Sequence, residues 1–172
     1  MRQYRCRSCD QLHDGLPTAY GAEAPAYWYG LSSPEREERF QLSSDTAIFD
    51  DQHFFVLGRV EIPIIGEEEP FVWGAWITLG QEDFERALEH WETPGRERLL
   101  EPTVGFLSSS LPTYPDTLNL LGRLHTRPLG LRPFIELEPT DHPLAVEQRT
   151  GITWARVEEI ASVVLHGAQH GA

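Results

Sequence analysis

Between positions 46 and 79 the chain is dense in β-branched and aromatic residues, and three runs there (47–49, 54–65 and 71–79) predict strands. The GEEEP segment between the last two predicts a hairpin loop. Alternation in the third run puts Phe71, Trp73, Ala75 and Ile77 on one face and Val72, Trp76 and Thr78 on the other. Both faces are largely apolar, which predicts a central strand covered on each side, with the two tryptophans as core rather than as the lining of a ligand pocket.

The period then changes. Phe84, Ala87, Leu88 and Trp91 fall at i, i+3, i+4 and i+7, with Glu82, Asp83, Glu85 and Glu89 opposite. Residues 81–91 therefore predict an amphipathic helix lying on the sheet, its acidic face in water, ended by TPGRER. Further strands are predicted over 104–109, 118–125 and 134–138, kept short by the prolines of LPTYPD and TRPLGLRP. Helical spacing returns over 142–149 and 153–166, the second with a stripe of Val157, Ile160, Ala161, Val164 and Leu165.

At the other end, Ser33 followed by Pro34 and Glu35 reads as the N-cap and first turn of a short helix ending near Arg39. Residues 1–30 hold no sustained period and predict a knuckle and a loop anchored by Tyr27, Trp28 and Tyr29, while 167–172 predict a frayed tail. The sum is an α+β fold. It is expected as a single domain over 1–172, an antiparallel or mixed sheet with an amphipathic helix on it and two C-terminal helices.

Length and charge narrow the function classes. A chain of 172 residues with 40% hydrophobic content can close one core. Its net charge of −13 opposes phosphate backbones and anionic lipids, so neither nucleic acid nor membrane is an expected partner. The same charge suits solubility, and an unknown protein or small-molecule partner, a cationic ligand or a metal ion. The start, MRQYRCRSCD, has no apolar run behind it and the apolar stretches elsewhere are interrupted by Glu, Pro or Gly, which predicts a cytoplasmic protein. Two cysteines form no disulfide framework.

Those cysteines carry the most definite chemistry. Cys6, Cys9 and His13 form C-x2-C-x3-H, a spacing in which a short turn lets two thiolates reach one zinc ion, and they are the candidate metal ligands. A closed structural site needs four ligands, and the fourth has to come from Asp10, Asp14, Asp45, His53 or another residue brought near by folding. The alternative is a reduced pair lying side by side at the surface without metal. A thioredoxin-like redox motif fits less well, because DQLHDGLP after the cysteines reads as loop and not as the start of a helix.

The Cys-x-x-Cys opening with His13, the strand FVWGAWITL, the segment LPTYPDTLNL and above all TDHPLAVEQRTGI together resemble the bacterial family of uncharacterised proteins known as domain of unknown function 2199. The likeness runs from about Tyr4 to Leu165. It implies no activity and carries over no functional residues. Family members often hold a cysteine in the segment that reads SDTAIFD here, where this chain has Ala47; were that thiol a ligand, the metal set would be one short.

A second constellation lies in TDHPLAVEQRTGI. His142 is expected at a helix start beside Asp141 as N-cap, with Glu147 and Gln148 following, so His142 and Glu147 are the candidate catalytic residues of a small metal-dependent hydrolase. The competing reading makes His142 a structural latch bonded to backbone, within a non-catalytic binding or interaction domain. Two helices about Gly151 look like a helix-turn-helix, but the second offers Trp154, Arg156, Glu158 and Glu159 where a DNA reader needs several phosphate and base contacts.

Overall fold

The computed structural model describes residues 3–6 and 9–167. In chain order the strands are β1 (Gln3–Arg5), β2 (Leu12–Asp14), β3 (Ala19–Gly21), β4 (Phe40–Leu42), β5 (Thr46–Phe49), β6 (His53–Ile62), β7 (Phe71–Leu79), β8 (Thr103–Leu107), β9 (Leu121–His125) and β10 (Phe134–Leu137). The helices are α1 (Ala26–Tyr29), α2 (Ser33–Arg39), α3 (Gln81–Glu89), α4 (Arg96–Leu99), α5 (Pro143–Thr150) and α6 (Trp154–Gly167). The fold is α+β, with β1 and β2 as a separate hairpin and the other strands in one mixed sheet.

The two long strands organise that sheet because each edge is long enough to serve two partners. Along one edge of β6, β5 pairs with His53 to Val56, and β10 joins in parallel at Phe134↔Arg59. Along one edge of β7, β3 pairs in parallel over residues 72–74, and β8 joins at Ile77 and Thr78. Since β6 also pairs with β7, and β8, β9 and β10 pair in succession, β6-β7-β8-β9-β10 close into a ring of five strands. Closure gives each of these five strands a neighbour on both sides, leaving β3 and β4 as the edges, and it needs somewhere inside for side chains to cross. Gly58 supplies that space: a Cβ there would meet the Ile135 side chain at 2.7 Å.

Alternation along β7 divides the apolar interior as its pattern predicts. Phe71, Trp73, Ala75 and Ile77 join Val56, Val60 and Ile62 in the main core, against which Phe84 of α3, Leu144 of α5 and Val157 and Ile160 of α6 pack. Trp76 faces the other way, into an aromatic cluster with Phe40, Phe49 and Phe55 and, at its margin, Trp28. Both tryptophans are fully buried core residues. Each removes roughly 150–250 Å² from water, which makes β7 the energetic centre of the fold.

Several local expectations change. The cap of α2 is Ser32, not Ser33: its hydroxyl accepts from Glu35 N–H while the Glu35 carboxylate accepts from Ser32 N–H, a reciprocal box that only this register permits. Trp28 and Tyr27 anchor α1, the first at the margin of the aromatic cluster and the second stacked on Phe49 and His53, whereas Tyr29 is exposed. On α3 the buried residue is Phe84, and Leu88 remains in water beyond the sheet. TPGRER does not simply end a helix, since α4 begins within it at Arg96. Of the expected tail, Gly167 belongs to α6 and 168–172 lie outside the described residues. No helix among the described residues is long and apolar enough to cross a membrane.

Candidate metal centre

The knuckle is built by the first hairpin. Tyr4 and His13 are register partners across β1 and β2, and their rings stack with centroids 5.4 Å apart. Between the strands the chain turns back tightly: Cys6 N–H donates to Gln11 carbonyl, Asp10 N–H donates to Cys6 carbonyl, and Asp10 takes a left-handed φ of 55° that short polar side chains tolerate. DQLHDGLP is thus partly strand, because β2 occupies Leu12–Asp14.

This turn brings the ligating atoms of Cys6, Cys9 and His13 within 4.8 Å of one another. The cysteines are not disulfide-linked. Cys9 Sγ lies 3.2 Å from His13 Nε2. Cys6 is buried and Cys9 exposed, which corrects the expectation of a pair lying together at the surface. Tyr4 is buried as well, and its hydroxyl is held to a higher pKa first by desolvation and then by Cys6, Cys9 and Glu158.

The candidates for a fourth ligand are otherwise engaged. Asp10 pairs with Arg5 at 3.0 Å and Asp14 accepts from Gln3. Asp45 binds Arg132 at 2.9 Å, and His53 stacks on Tyr27 and Phe49. The residue that does meet one member of the group is His166, on the last turn of α6, whose Nε2 lies 2.8 Å from Cys6 Sγ. No local spacing could have singled it out at a separation of 160 residues. Ala47 lies in the aromatic cluster with Phe40, Phe49 and Phe55, where a small apolar side chain and a thiol pack equally well.

The segment 140–152 forms a clasp. His142, not Asp141, caps α5: its Nδ1 accepts from Leu144 N–H, so the neutral ring carries its proton on Nε2 and donates it to the Asp116 carbonyl. Glu147 accepts from the Tyr114 hydroxyl at 2.5 Å and from Arg156 Nε at 2.8 Å. Arg156 also reaches Glu159 and the Thr113 hydroxyl. Gln148 lends its amide to β10, accepting from Leu137 N–H and donating to the Ile135 carbonyl. Further on, Ile152 pairs with Ile64 in a parallel bridge. The structure thus does not bring His142 and Glu147 together as an acid–base pair; each is directed to a different neighbour.

A trough of about 960 Å³ lies elsewhere, lined by residues 19–23 along β3, by Leu57, Arg59, Val72 and Gly74 of the β6–β7 face, and by residues 129–133. Arg96 fixes its loop side: the buried guanidinium donates to the carbonyls of Trp91, Arg127 and Leu131. Neither His142 nor Glu147 lines the trough.

Residues 5–152 match the family DUF2199, described as an uncharacterized protein conserved in bacteria. The chain belongs to that family. No curated protein and no solved structure matches it. The DUF2199 match takes in Cys6, Cys9, His13, the clasp and the trough, and it ends before His166.

Proposed function

We propose that this DUF2199 protein is a non-catalytic binding domain whose N-terminal knuckle is held by a structural zinc ion. The observation that carries the reading is the convergence of Cys6, Cys9 and His13 within 4.8 Å. Tetrahedral zinc with arms of about 2.3 Å to sulfur and about 2.0–2.1 Å to nitrogen sets neighbouring ligand atoms roughly 3.5–3.8 Å apart, inside the 4.8 Å span of this group. The metal's work here is structural. A three-residue hairpin pair with one buried ring has little core of its own, and ligand bonds replace the burial it lacks.

The binding face in this reading is the trough beside β3, whose outer edge has no neighbouring strand among the described residues. The proposal puts the protein in the cytoplasm, where thiolates stay reduced, with a protein or small-molecule partner and neither nucleic acid nor lipid. Arg156, the central cation of the helix-turn-helix lookalike, is held by Glu147 and Glu159 and does not face outward for phosphate. The hydrolase alternative loses support because His142 and Glu147 are engaged in the clasp.

Elemental analysis of untagged protein tests the zinc. About one zinc per chain is expected, removed by Cys6→Ser or Cys9→Ser, with a lower Tm after chelation. Metal-free protein whose Tm is indifferent to added zinc would reject it. For the binding face, a fragment screen by NMR should shift the amides of residues 20–23 and 129–133; hits confined to other surfaces would count against the trough.

A further inference from the structure

We infer that His166 is the fourth ligand of the knuckle, so that one metal ion joins the N-terminal hairpin to the last turn of α6. The inference rests on the zinc reading above and adds to it a residue from the far end of the chain.

Geometry comes first. Cys6 Sγ and His166 Nε2 are 2.8 Å apart, and Cys9 Sγ and His13 Nε2 are 3.2 Å apart. Sulfur and nitrogen sharing a tetrahedral zinc ion are separated by about 3.5 Å, so both pairs already lie inside the required distance and an ion between them would move them slightly apart. The compact three-residue group is approached by His166 through Cys6. His166 is half-buried on a final helical turn and meets the group at Cys6, outside the 4.8 Å set that Cys6, Cys9 and His13 form, so an ion would draw its ring toward the shared centre.

Placement on the helix agrees with this contact. Glu158, Ser162 and His166 recur every four residues and so share one face of α6. Cys6 meets that face at His166, on the last turn.

The donor set is also balanced in charge. Two thiolates neutralise the dication and two neutral imidazoles complete the shell, so no net charge is left beside the buried Cys6 and Tyr4. Binding releases the thiol protons to solvent and involves no redox change. A Cys2His2 set of this kind closes a loop from position 6 to position 166, encompassing nearly the whole chain. Loss of the ion should therefore loosen both the hairpin and the end of α6.

The test uses untagged full-length protein and X-ray absorption at the zinc edge. The wild type should show two sulfur and two nitrogen neighbours. His166→Ala should keep the two sulfurs, exchange one nitrogen for a water oxygen, and bind zinc at least about tenfold more weakly in a chelator competition. His166→Cys, which restores a ligand, should recover tight binding with three sulfurs. If wild type binds zinc but His166→Ala leaves spectrum and affinity unchanged, the fourth-ligand inference fails while the three-ligand zinc reading stands. If wild type binds no zinc, both fail together. Circular dichroism of His166→Ala, expected to remain native, separates ligand loss from unfolding.

Discussion

His142 donates from Nε2 to the Asp116 carbonyl at 3.0 Å, linking the start of α5 to the loop before β9. The same ring accepts from Leu144 N–H through Nδ1, so both nitrogens are used by backbone. Its role is then structural. His142→Ala should cost about 1–3 kcal/mol of unfolding free energy, because it removes a helix cap and leaves the Asp116 carbonyl to find water. Urea denaturation measures this. Native stability in a well-folded His142→Ala variant would reverse the assignment and restore a catalytic role to the front.

Tyr114, Glu147 and Arg156 act as one unit. The Tyr114 hydroxyl accepts from Trp73 Nε1 and donates to Glu147, and its pKa is raised first by burial and next by that carboxylate, which keeps it a neutral donor. Tyr114→Phe should cost about 1–3 kcal/mol. Arg156→Met should cost more, about 3–5 kcal/mol, since it leaves the Glu147 charge part-buried without its cation. In a double-mutant cycle the two losses should be less than additive. Strict additivity would show that the groups do not share Glu147 in solution.

The parts of this fold that were legible in the sequence are those with a sustained period. Nine residues of β7 form an unbroken strand-forming run apolar on both faces, α3 and α6 are long enough to show a helical stripe, and α5 is marked by the proline in its first turn. The elements β3 and β4 span three residues each, too few for any period, and take their conformation from the long strands beside them. Ring closure rests on β10 meeting β6 at one register position, a tertiary fact with no local signature. The knuckle shows the same division. Cys6, Cys9 and His13 advertise themselves by spacing, whereas His166 reads as the end of a helix until folding sets it against Cys6. Asp141 and His142 are both capable caps, and the Asp116 carbonyl decides between them.

Acid sensitivity should trace in part to Glu61. Its pKa is lowered from 4.5, chiefly by the hydrogen bond from Arg127 at 2.8 Å and against the opposing effect of burial. A carboxyl that stays ionised to lower pH when folded binds fewer protons than it does in the unfolded chain. Its contribution is therefore complete above about pH 5 and is lost as pH falls through the folded value. Glu61→Gln should be less stable than wild type at pH 7 and should show a shallower fall between about pH 5 and pH 3. Parallel curves for the two proteins across that range would assign the acid loss to other groups.

Gln148 offers a sharper test of the clasp, because its amide must both accept from Leu137 N–H and donate to the Ile135 carbonyl, each at 2.8 Å. A glutamate has the same shape but, when ionised, can only accept. In Gln148→Glu one carboxylate oxygen would face the Ile135 carbonyl, replacing a hydrogen bond by repulsion between two acceptors, and the cost at pH 7 should exceed the roughly 1–3 kcal/mol expected for Gln148→Ala. Protonation restores a donor, so the folded state should raise the pKa of the introduced carboxyl above that of the unfolded chain. The folded variant then binds more protons than the unfolded one. Its deficit relative to wild type should accordingly shrink as pH falls through the raised value and be smallest below the unfolded value of about 4.3. Paired urea titrations of wild type and Gln148→Glu at several pH values measure the difference directly, with changes common to both proteins cancelling. A deficit that stays constant with pH would mean that the side chain leaves β10 and reaches solvent, and that the clasp is not held by this amide.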